Sequence, residues 1–220
     1  RFDHFNAGVV GNTLEHARRR ILEDALPFQP DLAVVLMNDL SFRGRRQLKA
    51  RGIAVEGYRP GWMAQRSLLW LKLEKNARLL QLKRVAARQD VAQRLDLAEL
   101  DGELRRDLGR FVAEIRAAGP LPVLVENASR MRHGQGRQLL LENAQTRILY
   151  QPGVYVEDLL ASHALLNRVM ADVARLQGLP FIATEAHMAP LRENYVDSSH
   201  LTPMGSQRFG RIVGEGLAAD

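Results

Sequence analysis

Three short apolar runs, set between stretches of helical periodicity, constrain this chain more than any other feature. Leu32-Ala33-Val34-Val35-Leu36-Met37, Leu121 to Glu126 and Leu179 to Ala183 are each strand-sized. An unbroken run such as Leu32 to Met37 offers no polar face to water, which predicts a strand covered on both sides. Phe2 to Asn6 reads as the end of a further strand. Thr13 to Leu26 carries Leu14, Ala17, Ile21 and Ala25 on one helical stripe, with Thr13 as N-cap and Pro27 and Pro30 as stops. Leu104 to Ala118, Val156 to Leu176 and Pro203 to Leu217 also read as helices, the second ending at Gly178 and the third opening on a proline. Strands alternating with helices predict an α/β fold. The form expected is a three-layer α/β/α, flavodoxin-like parallel sheet.

The length, 220 residues, suits one domain over 1–220. Ser41 to Gly61, rich in Arg and Gly, reads as a surface excursion. Gln65 to Leu104 reads as helical, with a break near Arg88 to Asp96. Residues 63–104 are therefore expected to be a helical insertion or lid. Leu139 to Tyr150 is ambiguous between helix and loop.

Composition narrows the chemistry. With no cysteine, disulfides, zinc knuckles and a thiol nucleophile are excluded. The net charge of +6 comes almost wholly from arginine, but no recognition motif accompanies it, so no nucleic-acid partner is expected. No apolar run reaches the length of a membrane span. Membrane contact is expected only through a segment outside these residues. The chain opens on Arg1, which fits removal or omission of an upstream targeting or anchoring segment, and the composition suits cytoplasm and periplasm alike.

Three motifs stand at the predicted ends of strands, where the functional groups of such sheets gather. Asn6 to Thr13 holds two glycines between a strand and a helix, a turn that can aim backbone N–H groups at an anion or simply reverse the chain. Asn38-Asp39 follows the Leu32 run; an amide there can donate to an oxyanion, or the pair can form an ordinary Asx turn. Asp197 and His200, three apart before Pro203, can be an acid–base pair, metal ligands with His187, or a capping cluster. His4, His16, His133 and His163 have no comparable company. No serine sits in a Gly-x-Ser-x-Gly elbow. Ser198 and Ser199 lie between Asp197 and His200, where a local turn makes in-line attack geometry awkward, and Ser41, Ser129 and Ser206 have no supporting context.

Taken in order, these motifs resemble the SGNH (GDSL-type) hydrolase superfamily. Its members carry a Gly-Asp-Ser nucleophile turn, an Asn-x-Gly-x-x-Gly segment, a Gly-x-Asn-Asp segment and a C-terminal Asp-x-x-His. The resemblance implies that Gly11 (backbone N–H) and Asn38 (side-chain amide) form an oxyanion hole. It implies His200 as general base and Asp197 as the carboxylate that orients it. The third segment lacks its glycine ahead of Asn38, and the Gly-Asp-Ser block is not found among these residues. The first strand and nucleophile turn are therefore expected upstream of Arg1, with this chain inactive by itself. The implied function is hydrolysis of an oxygen ester, a lipid ester or an acetylated sugar, with no cofactor and no metal. The alternatives are transfer of an acyl group to a sugar and a non-catalytic binding or assembly module on the same fold.

Overall fold

A computed structural model describes residues 13–37, 40–53 and 59–219. Its sheet has β1 (Leu32–Val35), β2 (Leu121–Val125) and β3 (Phe181–Ile182), all parallel, in the order β1-β2-β3. Leu32 stands opposite Leu121, and Leu124 opposite Phe181. The two faces of β2 and β3 are sorted by the period of two along a strand. Leu124 and Phe181 enter a large core, while Val123, Val125 and Ile182 meet Phe209, Val213 and Leu217 of the last helix.

Helices lie on both faces, as an α/β/α layering requires. On the larger side, α4 (Leu97–Ala117) and α7 (Val156–Gln177) pack on each other and on β2. Leu100, Leu104, Leu108, Phe111, Val112 and Ile115 make the buried stripe of α4. Leu104 and Leu108 are fully buried, so truncating either to Ala removes about 2–5 kcal/mol. Asp96 caps α4 by accepting from Glu99 N at 3.0 Å, and α7 ends at Gly178, whose φ of +61° is the left-handed region glycine tolerates. On the other side runs α8 (Pro203–Ala219). It approaches closely at Gly216, where a Cβ would come within 2.9 Å of Ile182.

α1 (Leu14–Arg20) has the expected cap: Thr13 Oγ1 accepts from His16 N at 3.4 Å. It continues through a wider turn at Ile21–Ala25 and a tighter one at Leu26–Phe28 before reaching β1. α3 (Leu68–Ala86) and α4 are separated at 87–96, in agreement with the expected break. Leu139 to Tyr150 resolves into α5 (Arg137–Asn143) and α6 (Gln145–Tyr150).

Two expectations are corrected. The Leu32 run is not covered on both sides: Ala33 and Val35 belong to the large core, but Leu32, Val34 and Leu36 are about half exposed. α8 lies against β3 and β2 and leaves that face of β1 open among the described residues. Nor is Ser41 to Gly61 wholly a surface excursion, because Leu40–Ala50 forms α2, with Leu48 fully buried. Its polar residues enter the interior because α4 supplies partners. Arg43 pairs with Asp107 at 2.8 Å, and Gln47 accepts from Asp96 N at 2.8 Å.

Candidate active site

Parallel pairing sets the carboxyl ends of β1, β2 and β3 along one edge of the sheet, and side chains after β2 tie that edge together. Glu126 accepts from Thr184 N at 2.8 Å and from Glu185 N at 2.7 Å, joining the ends of β2 and β3. Asn127 Nδ2 donates to the Met37 carbonyl at 2.8 Å, joining the ends of β2 and β1. That carbonyl belongs to the peptide bond leading into Asn38. Asn127 is itself held by Asn167 of α7, which accepts from Asn127 N and donates to Asn127 O.

The same loop anchors the turn that bears Asp197 and His200. Ser129 Oγ donates to the Ser198 carbonyl at 2.9 Å, and Arg130 N donates to the same oxygen at 2.9 Å. The turn is closed at its base by a bridge between Tyr195 and Leu201, with Val196 N donating to His200 O at 2.8 Å. Tyr195 is buried with Ala128 and Met188. Gly205 lies against the Asn194 backbone, where any Cβ would collide with the Asn194 carbonyl, so α8 starts flush beneath the turn.

Within the turn the two oxygens of Asp197 have separate duties. Oδ1 accepts from Ser199 N and His200 N, both at 2.9 Å; Oδ2 lies 2.7 Å from His200 Nδ1. Partial burial pushes the Asp197 carboxyl up, but the two backbone N–H groups, the imidazole and the Thr146 hydroxyl outweigh burial and hold it below its ordinary range. An ionised carboxylate only accepts, which assigns the proton to Nδ1 and the lone pair to Nε2. The His200 side chain is 63% exposed, and no hydrogen bond from the described residues engages Nε2. Such an imidazole is oriented on one edge and open to take a proton on the other.

Behind the pair lies a buried polar network. Arg147 on α6 is fully buried; burial pushes its guanidinium down to about 10, with the Asp197 charge opposing, so it stays cationic at neutral pH. His163 is buried on α7 with Nε2 3.7 Å from Glu185. Burial pushes His163 down, and the imidazole is neutral. Partial burial raises the Glu185 carboxyl, but His163, Arg132 and Asn167 outweigh it and keep it ionised.

Asp197 and His200 thus meet as expected from their spacing, and the loop after β2 holds them to the end of β1. Gly11 and Asn38 lie outside the described residues. Ser129 is fully buried with its hydroxyl committed to Ser198, and Ser198 is likewise buried; neither presents a nucleophile. Among the described residues no group of three His, Asp or Glu side chains is placed to hold a metal ion. Asn127, Asn167, Glu185 and the buried His163 are additions that the sequence motifs do not point to. Their one visible signal is the pair His163 and Asn167, a turn apart among the buried residues of α7.

A family model described as the GDSL-like Lipase/Acylhydrolase family matches residues 1–208. The chain belongs to this family. Solved structures agree on the fold. A GDSL-like lipase from Bacteroides thetaiotaomicron VPI-5482 is 11% identical with a TM-score of 0.53, covering 95% of this chain and 72% of its own. A Bacteroides fragilis NCTC 9343 protein assigned as an acylhydrolase is 12% identical, with a TM-score of 0.54 and coverage of 95% and 71%. A further protein, from Parabacteroides merdae ATCC 43184, assigned as a GDSL-like lipase, is 13% identical with a TM-score of 0.54 over 96% and 70%. No curated protein matches significantly. Family membership makes this chain part of a hydrolase superfamily, and the three-layer α/β/α fold goes with it.

Proposed function

We propose that this GDSL-family protein cleaves an oxygen ester through a serine acyl-enzyme, with His200 as the general base. The observation that carries the reading is Asp197 Oδ2 at 2.7 Å from His200 Nδ1, with Oδ1 locked by two backbone N–H groups. This arrangement favours the imidazole tautomer whose Nε2 can accept a hydroxyl proton, and the carboxylate offsets the charge that then develops. The attacking hydroxyl is that of a serine brought to the same edge of the sheet. Asn38 and the Gly11 N–H donate to the tetrahedral oxyanion, and the tether from Asn127 to Met37 O supports the first of these by fixing the peptide that enters Asn38. On collapse His200 returns its proton to the leaving alcohol, and water then releases the acyl group with His200 again as base. The pair itself does not choose among ester substrates; a lipid ester and an acetylated sugar both fit it.

Hydrolysis of p-nitrophenyl acetate by full-length protein tests the reading. His200→Ala is expected to lower kcat/KM by about three orders of magnitude or more while the unfolding transition stays unchanged. Activity retained in His200→Ala removes His200 from the mechanism.

A further inference from the structure

α3 and the turn before it form a surface with no counterpart elsewhere in the described residues. Residues 59–86 hold seven basic side chains (Arg59, Arg66, Lys72, Lys75, Arg78, Lys83 and Arg84) and a single acid, Glu74. That difference equals the whole +6 of the chain, so the remaining residues are neutral in sum. The same segment contains both tryptophans of the chain, Trp62 and Trp70. It also leaves its apolar residues uncovered: Leu68 is 79% exposed, Leu69 69%, Trp62 67% and Leu80 60%.

The pattern along α3 explains why. At about 100° per residue, Leu71, Leu79, Leu82 and Ala86 lie on one side, and Leu69, Leu73 and Leu80 fall within about 40° of one another on roughly the opposite side. Leu82 and Ala86 are buried and Leu79 packs beside them, so the first stripe roots the C-terminal half of α3 in the core next to α6. The second stripe is not needed by the fold, and the N-terminal half, from Leu68 to Ala77, has no buried residue. This half is firmly built for an exposed element. Ser67 caps it, accepting from Trp70 N at 3.3 Å, and Arg66 stacks on the Trp62 ring at 4.4 Å. Glu74, the one acid, is turned back to accept from Gly61 N at 2.9 Å and leaves the cationic surface undiluted.

We propose that α3 and its preceding turn dock this protein on an anionic lipid bilayer. Trp62, Met63, Leu69, Trp70 and Leu73 enter the interfacial layer, where amphipathic rings and leucines are stable, and the surrounding lysines and arginines meet the headgroups. The charge argues for this occupant over others. A second copy of the chain brings the same six positive charges against these six, and repulsion opposes the contact. A nucleic acid satisfies the cations but gives the leucines nothing apolar to cover them. No described helix is long and apolar enough to cross a membrane, so the contact is one that lies on the surface. The docked helix is also close to the candidate site in the fold. α3 packs on α6, and α6 carries Thr146, which hydrogen-bonds Asp197.

The test is sedimentation of full-length protein with vesicles of equal parts phosphatidylglycerol and phosphatidylcholine, read with tryptophan fluorescence. Expected are co-sedimentation and a blue shift, both weakened by raising salt well above about 0.15 M, and neither with pure phosphatidylcholine. Trp62→Phe with Trp70→Phe should abolish the shift yet keep co-sedimentation. Leu69→Asp with Leu73→Asp should abolish both without moving the thermal unfolding transition, because these side chains touch no core. Lys72→Gln with Arg84→Gln, which flank the leucine stripe, should weaken vesicle affinity roughly thirtyfold. Three results overturn the proposal: no binding to anionic vesicles, binding undiminished in the leucine variant, or a dimer that this variant dissolves in the absence of vesicle binding. None of these readouts depends on ester hydrolysis, so they are independent of the roles given to Asp197 and His200.

Discussion

Replacing Asp197 by Asn removes one charge and leaves almost every atom in place, yet its effect on His200 can be worked out from three distances. Oδ1 accepts two backbone N–H bonds of 2.9 Å, from Ser199 and His200. An amide keeps both bonds only by putting its oxygen at the Oδ1 position. Its NH2 group then occupies the Oδ2 position, 2.7 Å from His200 Nδ1, and offers a donor where an acceptor stood. The imidazole must answer with a lone pair on Nδ1, which moves its proton to Nε2, the nitrogen that has to accept one. Flipping the amide restores the tautomer but leaves two backbone donors facing an NH2 group, at about 1–3 kcal/mol each. Asp197→Asn is therefore expected to lower kcat/KM for p-nitrophenyl acetate by about 10³–10⁴ in full-length protein. The same change should be visible without turnover: 15N NMR of the imidazole should report Nδ1–H in the parent and Nε2–H in the variant. Because the Asp197 carboxyl is held below its ordinary range, it should stay ionised, and keep accepting from Nδ1, through mildly acidic pH. A variant within about tenfold of the parent, or one that keeps Nδ1–H, would refute the orienting role.

Other perturbations follow from the loop after β2 and the network behind the pair. Asn127→Leu leaves the Met37 carbonyl without its donor, so denaturant unfolding should show a loss of about 1–3 kcal/mol. Its kcat should fall with little change in KM, as expected when the peptide entering Asn38 loosens; an unchanged kcat would confine Asn127 to stability. His163 has a folded pKa below its unfolded value, so the unfolded chain binds the extra proton as pH drops below about 6.5, and stability contributed by the neutral imidazole is lost on acidification. Its neighbours Arg132 and Arg147 add to this cost, and Glu185 opposes it. His163→Gln should flatten the fall in unfolding temperature between about pH 7 and pH 5, and equal slopes in parent and variant would count against this.

Elements whose partners lie nearby in sequence, or whose caps are local, are legible from the residues alone. α7 announces itself by an apolar stripe and Gly178, α8 by Pro203, and the Asp197–His200 pair by a three-residue spacing that one turn can close. Features that rest on distant partners are not. α2 carries Arg43 and Gln47 inward, which reads as a surface pattern until Asp107 of α4 and its cap Asp96 are known to meet them. His163 looks like any helical histidine, because Glu185 comes within 3.7 Å of it only through the fold of β3. The half-exposed face of β1 is hidden for a similar reason: an apolar run states that cover is favourable, not which element arrives. The exposed leucines of α3 are legible as an apolar helix, but only the packing separates the stripe used by the core from the one left over.

The central claim is that the Asp197–His200 turn serves a serine brought to the carboxyl edge of this sheet. Fluorophosphonate labelling of full-length protein, with the modified residue located by mass spectrometry, tests it most directly. One serine should be labelled, outside Ser129 and Ser198, and labelling should be slowed at least a hundredfold or so by His200→Ala with the fold intact. Labelling at the parental rate in His200→Ala, or no labelled serine at all in an ester-cleaving protein, would contradict it.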